Sequence, residues 1–235
     1  MWTIFKLLNL FSVFITSYIW FTALLPLGPL MLVLNVCMIA CLPFLPIQFR
    51  FDGRTGLILL ALLGIVLWTI YNENIAIGLL MVCMYLPVLY LIPLPREYQK
   101  DLLRFVTKWI AISLIPGLLI YWVTLFVNLP SMGRYVYPTY EPFINYVFYL
   151  KSTYDTGMFV RFNAYLLEPG HLAMMCEFFL MANKFDFKKN PWMWVMVVAI
   201  MFSFSLAGYL ITFIGFALLK VNTIGRVLAM LTLLV

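Results

Sequence analysis

The chain has 235 residues, 65% of them hydrophobic and 10% charged, with a mean hydropathy of +1.03; a soluble globule of that balance lacks the polar surface to cover itself. The net charge of +6 is carried in short clusters between apolar runs, which fits orientation in a membrane and speaks against nucleic acid as a partner. A single histidine excludes a His-rich zinc or iron site, and Cys37, Cys41, Cys83 and Cys176 lie in apolar stretches without paired spacing, so they read as small core residues.

A helix needs about 20 apolar residues to cross the hydrocarbon, because every backbone polar group must be bonded inside the segment. Residues 7–49 carry no charge and exceed one span. The Pro26, Gly28, Pro29 cluster divides them into two helices joined by a tight turn. Further spans are predicted at 56–71, 75–93, 109–128 and 164–183, separated by Asn72-Glu73-Asn74, by Pro95 to Lys108 and by an outer aromatic loop over 129–160. Residues 191–219 read either as one tilted helix or as two short ones turning near Ser205 to Gly208. The last apolar run, into Val235, reads as the start of a ninth span. The expectation is therefore an all-α fold, a polytopic transmembrane bundle of about eight spans plus the start of a ninth. It forms one transmembrane domain over 1–235, the N-terminal part of a longer protein.

The basic residues choose between the two readings of 191–219. With Met1 inside and two short helices, the inner face holds Lys6, Arg50, Arg54, Arg96, Lys100, Arg104, Lys108, Lys184, Lys188, Lys189, Lys220 and Arg226, and only Arg134, Lys151 and Arg161 lie outside. A single helix would put Lys220 and Arg226 on the wrong side. The N-terminus has no small-residue cleavage site after its apolar run and reads as a first helix.

On the outer face this leaves Glu73, Arg134, Glu141, Lys151, Asp155, Arg161 and Glu168, most of them in one loop and its exit. In Arg161-Phe-Asn-Ala-Tyr-Leu-Leu-Glu168-Pro169-Gly170-His171, Pro169 suits a first helical position and holds its predecessor out of helical angles. Glu168 is thus expected at the helix N-cap, with His171 one turn inside at the same corner. A helix N-terminus with Arg161 nearby suits a diphosphate, and a carboxylate beside an imidazole offers a proton acceptor for a sugar hydroxyl. The plain reading stands beside it: Glu168 as a cap, His171 on a carbonyl, Arg161 as an interface anchor. Glu177 lies deeper on the same helix and reads as a protonated or paired structural carboxylate. Tyr135, Tyr137 and Tyr140, with the other rings of the loop, suit an interfacial belt or a platform for sugar faces. Ser203, Ser205 and Gly208 permit non-helical backbone at membrane depth, or serve ordinary small-residue packing.

The stretch from Arg161 to Ala173, followed by a basic inner loop and an apolar run opening again at Ser203-Phe-Ser205-Leu-Ala-Gly208, resembles the O-antigen polymerase and O-antigen ligase superfamily, and looks like a polymerase-type member. Leu206 and Ala207 stand where ligases commonly carry Arg. The resemblance implies joining of lipid-linked oligosaccharide repeat units by glycosyl transfer at the outer face of the bacterial inner membrane, with no cofactor and no metal. It implies Arg161, Glu168 and His171 as catalytic residues and Arg134, Tyr135, Tyr137 and Tyr140 as substrate contacts. The implied partners are a polyprenyl-diphosphate-linked glycan, membrane lipids, and flippase and chain-length regulator proteins. Ligase-type transfer to a lipid acceptor and transport of lipid-linked glycan are the alternatives. A transporter would be expected to carry charges deep in several helices and internal repeats, and only Glu177 answers to that.

Overall fold

The computed structural model describes residues 1–17, 27–45, 47, 53–72, 75, 87, 90–136, 142–153 and 160–220. Within them the chain is mostly helical: α1 (Trp2–Ser17), α2 (Leu27–Cys41), α3 (Gly53–Asn72), α4 (Arg96–Thr124), α5 (Pro169–Ala182), α6 (Met193–Ser203) and α7 (Leu206–Lys220). Two of these are long and apolar enough to cross a membrane by length and composition, Thr55–Asn72 within α3 and the whole of α4. The helices α1, α6 and α7 are apolar but shorter. The turn at Pro26, most of the 75–93 span, Cys83, Glu73, Tyr137, Tyr140, Glu141, Asp155 and the run into Val235 lie outside the described residues, as does the side chain of Tyr135.

The chain divides into two compact units, 1–102 and 103–235. In the first, α1 packs on α2, with Ser12 Oγ donating to Met31 Sδ at 3.7 Å, and Phe5, Leu10 and Ile15 of α1 are buried. The Tyr90 hydroxyl donates to Asn35 Oδ1 at 3.2 Å. Asp101 gathers Trp2 Nε1 at 2.7 Å and Lys6 Nζ at 3.0 Å, a charge-assisted cluster that fixes the start of α1. The helix α3 is different. Leu57 is 70% and Trp68 69% exposed, so its apolar length faces outward, as a lipid-facing helix would and a soluble core helix would not.

Three expectations need correction. Pro95 to Lys108 is not a loop: residues from Arg96 onward already belong to α4. Arg96, Lys100, Arg104 and Lys108 recur every fourth residue and are all exposed, while Leu102, Val106 and Thr107 are buried, so the basic cluster is one polar stripe of an amphipathic helix. The helix expected from 164 starts at Pro169 instead, because residues 162–165 form a buried non-helical segment. And Cys37 is exposed on α2, whereas Cys41 and Cys176 are buried as expected.

The second unit also contains a three-stranded antiparallel sheet, β1 (Arg134–Tyr135), β2 (Phe143–Asn145) and β3 (Leu150–Ser152), in the order β1-β2-β3. The register sets Arg134 opposite Ile144, and Ile144 opposite Lys151. Its exit is locked to the helices. Tyr149 and Phe162 are fully buried and meet Tyr121 of α4 at centroid distances of 5.6 Å, edge-on, and 5.4 Å, tilted, and each other at 5.8 Å. Gly117 of α4 receives this loop directly, since a Cβ there would lie 2.5 Å from the Phe148 carbonyl oxygen. Part of the loop's aromatic content is thus core, beyond the expected belt.

Residues 191–219 form two helices. After α6 the chain turns at Phe204, a left-handed residue with φ of 47°, and restarts as α7. Ser203 Oγ accepts the Ser205 N–H at 3.3 Å, and Ser205 Oγ accepts the Gly208 N–H at 3.2 Å, which is an N-cap bond for α7. Both serines therefore satisfy backbone groups that the break would otherwise leave open.

Candidate functional site

The helices α5 and α7 run parallel and very close. Built Cβ positions place Gly170 4.0 Å from Ser205 Oγ, Gly208 2.7 Å from the Ala173 Cβ, and Gly215 2.9 Å from Met181, so contacts advance along both helices together. Only a residue without a side chain fits at Gly208. Two helix N-termini consequently open side by side, and their positive ends add at one corner.

At that corner Glu168 is the N-cap of α5, with extended angles of φ −128° and ψ 140°, and Pro169 follows at the first helical position. This is the geometry that the proline implied. The Glu168 carboxylate makes no cap bond. It lies 3.8 Å from His171 Nε2, and the two side chains are 48% and 50% exposed. At that distance the pair is looser than a direct hydrogen bond, and both side chains stay open to solvent on their outer sides. The N–H groups of Gly170 and His171 sit in the first turn, where no intrahelical acceptor exists.

Arg161 is exposed, at the head of the buried segment. That segment is held by the Phe162 N–H donating to the Phe202 carbonyl at 2.8 Å and by the Leu150 N–H donating to Ala164 at 2.7 Å. Phe202 lies three residues before Ser205, so the backbone beside Arg161 is anchored to the same α6–α7 turn that adjoins Gly170. Arg134 is exposed on β1, opposite Ile144 of β2. The structure therefore brings Glu168 and His171 together, anchors Arg161 to the neighbouring turn, and sets Arg134 on the sheet.

Two residues matter more than the sequence suggested. Asn163 is 3% exposed and its Oδ1 is buried without a hydrogen-bond partner among the described residues. A buried acceptor of this kind is costly and calls for a partner the protein alone does not supply. Its signal was present, as a polar residue between the aromatic rings of Phe162 and Tyr165, but burial could not be read from spacing. Glu177 is 2% exposed. Its Oε1 comes within 3.1 Å of the Cβ position of Gly208, and the Thr212 hydroxyl of α7 faces its carboxyl. Neither Glu177 Oε1 nor Thr212 Oγ1 makes a hydrogen bond of standard geometry.

The chain matches no protein-family model, no curated protein and no solved structure. The fold and the corner define a mostly helical protein with, among the described residues, two helices able to cross a membrane by length and composition, carrying a carboxylate–imidazole pair where two parallel helices begin.

Proposed function

We propose that this chain belongs to a multi-span membrane glycosyltransferase of about eight spans, which joins oligosaccharide repeat units carried on polyprenyl diphosphate at the outer face of the bacterial inner membrane. The observation that carries the reading is the half-exposed Glu168–His171 pair on the first turn of α5, beside the capped start of α7. The exposed apolar length of α3 supports a membrane setting.

In this reading the acceptor sugar hydroxyl attacks the anomeric carbon of the donor. Its oxygen forms the new glycosidic bond while the bond from that carbon to the diphosphate oxygen breaks, and the diphosphate leaves with the electron pair. Glu168 or His171 takes the hydroxyl proton. Arg161 and the paired helix N-termini stabilise the charge that grows on the leaving diphosphate. Glu168 is itself an anion at a positive helix end, so it competes with the diphosphate for that field unless it has taken the proton. Asn163 offers its free carbonyl oxygen to a sugar hydroxyl or an ordered water. Arg134 and Tyr135 guide the glycan along the sheet.

The test is reconstitution of the full-length protein in vesicles with a polyprenyl-diphosphate-linked repeat unit. The expected result is a ladder of polymer with one polyprenyl diphosphate released per bond formed. Transfer of single units to a glycolipid acceptor without a ladder would favour ligation, and no transfer of either kind would overturn the reading.

A further inference from the structure

The other end of the α5–α6–α7 group carries a second constellation. The turn after α5 places Phe185 against Phe216 at 5.4 Å and Phe187 against Trp194 at 4.4 Å. These rings form one end of a groove of about 410 Å³ between α6 and α7, with Val197 and Tyr209 further along its walls. From Trp194 to Met201 on one wall, and from Tyr209 to Phe216 on the other, it runs about 10 Å. The Tyr209 hydroxyl donates to the Met201 carbonyl at 2.5 Å and closes the far end. Trp194 remains 58% exposed.

Charge surrounds the open end. Lys184, Lys188 and Lys189 belong to the turn that supplies Phe185 and Phe187, and all three are exposed. Lys220 ends α7 one turn beyond Phe216 and lies close enough to Asp186 to act on its carboxyl. Lys108 stands over the Trp192 ring at 5.8 Å, next to the Thr107 hydroxyl that accepts a hydrogen bond from Asn183 at 2.9 Å. Among the described residues of this end the acid is Asp186, paired with Lys189 at 3.0 Å. Leaving Lys108 aside, four lysines against one aspartate give a net charge of +3 at the mouth of an apolar groove. That combination matches one chemistry, an apolar chain attached to an anionic head.

We propose that the α6–α7 groove and the lysine-ringed turn at 184–190 form a binding site for an anionic phospholipid of the inner leaflet, with an acyl chain along Trp194, Tyr209 and Phe216 and the phosphate among Lys184, Lys188, Lys189 and Lys220. The site lies at the opposite end of the helices from Glu168 and rests on the reading of α6 and α7 as membrane helices. Positive charge inside would be expected for orientation alone; the groove adds a place for the chain, so the lipid is held rather than merely attracted.

The experiment reconstitutes the full chain in phosphatidylcholine vesicles and titrates in phosphatidylglycerol or phosphatidylcholine with brominated acyl chains, reading quenching of tryptophan fluorescence. A Trp194→Phe variant isolates the groove component. The expected result is quenching of the Trp194 component with at least about tenfold preference for phosphatidylglycerol. That preference should be lost in a Lys188→Gln, Lys189→Gln, Lys220→Gln variant of unchanged helicity. Equal quenching by both lipids would overturn the site while leaving the membrane reading intact. So would a Trp194 component that neither lipid quenches while other tryptophans respond, which is the result if more of this chain or a second copy fills the groove. No quenching of any tryptophan would remove the membrane reading itself, and the site with it.

Discussion

Glu168 and Glu177 lie nine residues apart on one helix and meet opposite fates. Glu168 ends at the surface, half exposed, with its carboxylate unused by the helix it caps and an imidazole 3.8 Å away. Glu177 is sealed between α5 and α7, facing Thr212, because Gly208 lets the two backbones close over it. The difference comes from the neighbouring helix and not from the residue. At its start α7 opens a turn beside Gly170, and one turn later it presents a glycine. A carboxylate held open at a positive helix end can exchange a proton with a ligand. One enclosed by close-packed helices answers first to packing.

The largest expected effect comes from breaking the enclosure. Gly208→Val sets new atoms against Ala173 and Glu177 and should destabilise the unit by about 3 kcal/mol or more, seen as a lowered denaturation midpoint in detergent or vesicles. Gly117→Ala drives a methyl at the Phe148 carbonyl oxygen and should cost about 1–3 kcal/mol. Its effect should appear mainly in the 143–165 region, readable by hydrogen exchange there. Glu177→Met has the opposite sign. Removing a buried oxygen without a partner should leave stability unchanged or raise it by about 1 kcal/mol; a strong loss would show that the carboxylate has a bonded role. Glu168→Gln should stay within about 0.5 kcal/mol of the parent, since no cap bond is lost.

The smallest effect belongs to a third carboxylate, Asp186. The hydrogen bond from Lys189 holds its pKa below the usual carboxylate range. A lowered value in the folded state means any contribution is present above the unfolded value and disappears as pH falls through the folded one. Because the pair is partly exposed and its lysine faces solvent, Asp186→Asn should leave the midpoint nearly unchanged between about pH 5 and 8, with any difference confined to the acid limb of the melting profile.

Sequence patterns disclosed the site better than its surroundings. Glu168 at the N-cap followed from a local rule about the residue before proline, and the α6–α7 break followed from where Lys220 would otherwise lie. The start of α4 was misread because a dense basic cluster resembles a loop, although its four-residue spacing was visible in Arg96, Lys100, Arg104 and Lys108. The sheet was not legible, since strands of two or three residues carry no usable period. Neither was the burial of Asn163, nor the meeting of Glu177 with Thr212, which depends on the parallel register of two helices separated in sequence. Tyr137 and Tyr140 lie outside the described residues, so their assignment rests on ring chemistry and the resemblance.

The most direct test of the Glu168–His171 corner is glycan chain length in cells whose gene carries Glu168→Gln, with Glu177→Gln in parallel and the membrane level of each protein checked. The account predicts collapse to single repeat units for Glu168→Gln and long chains for Glu177→Gln. Long chains in the Glu168→Gln cells would contradict it and return Glu168, with His171, to the role of a helix cap.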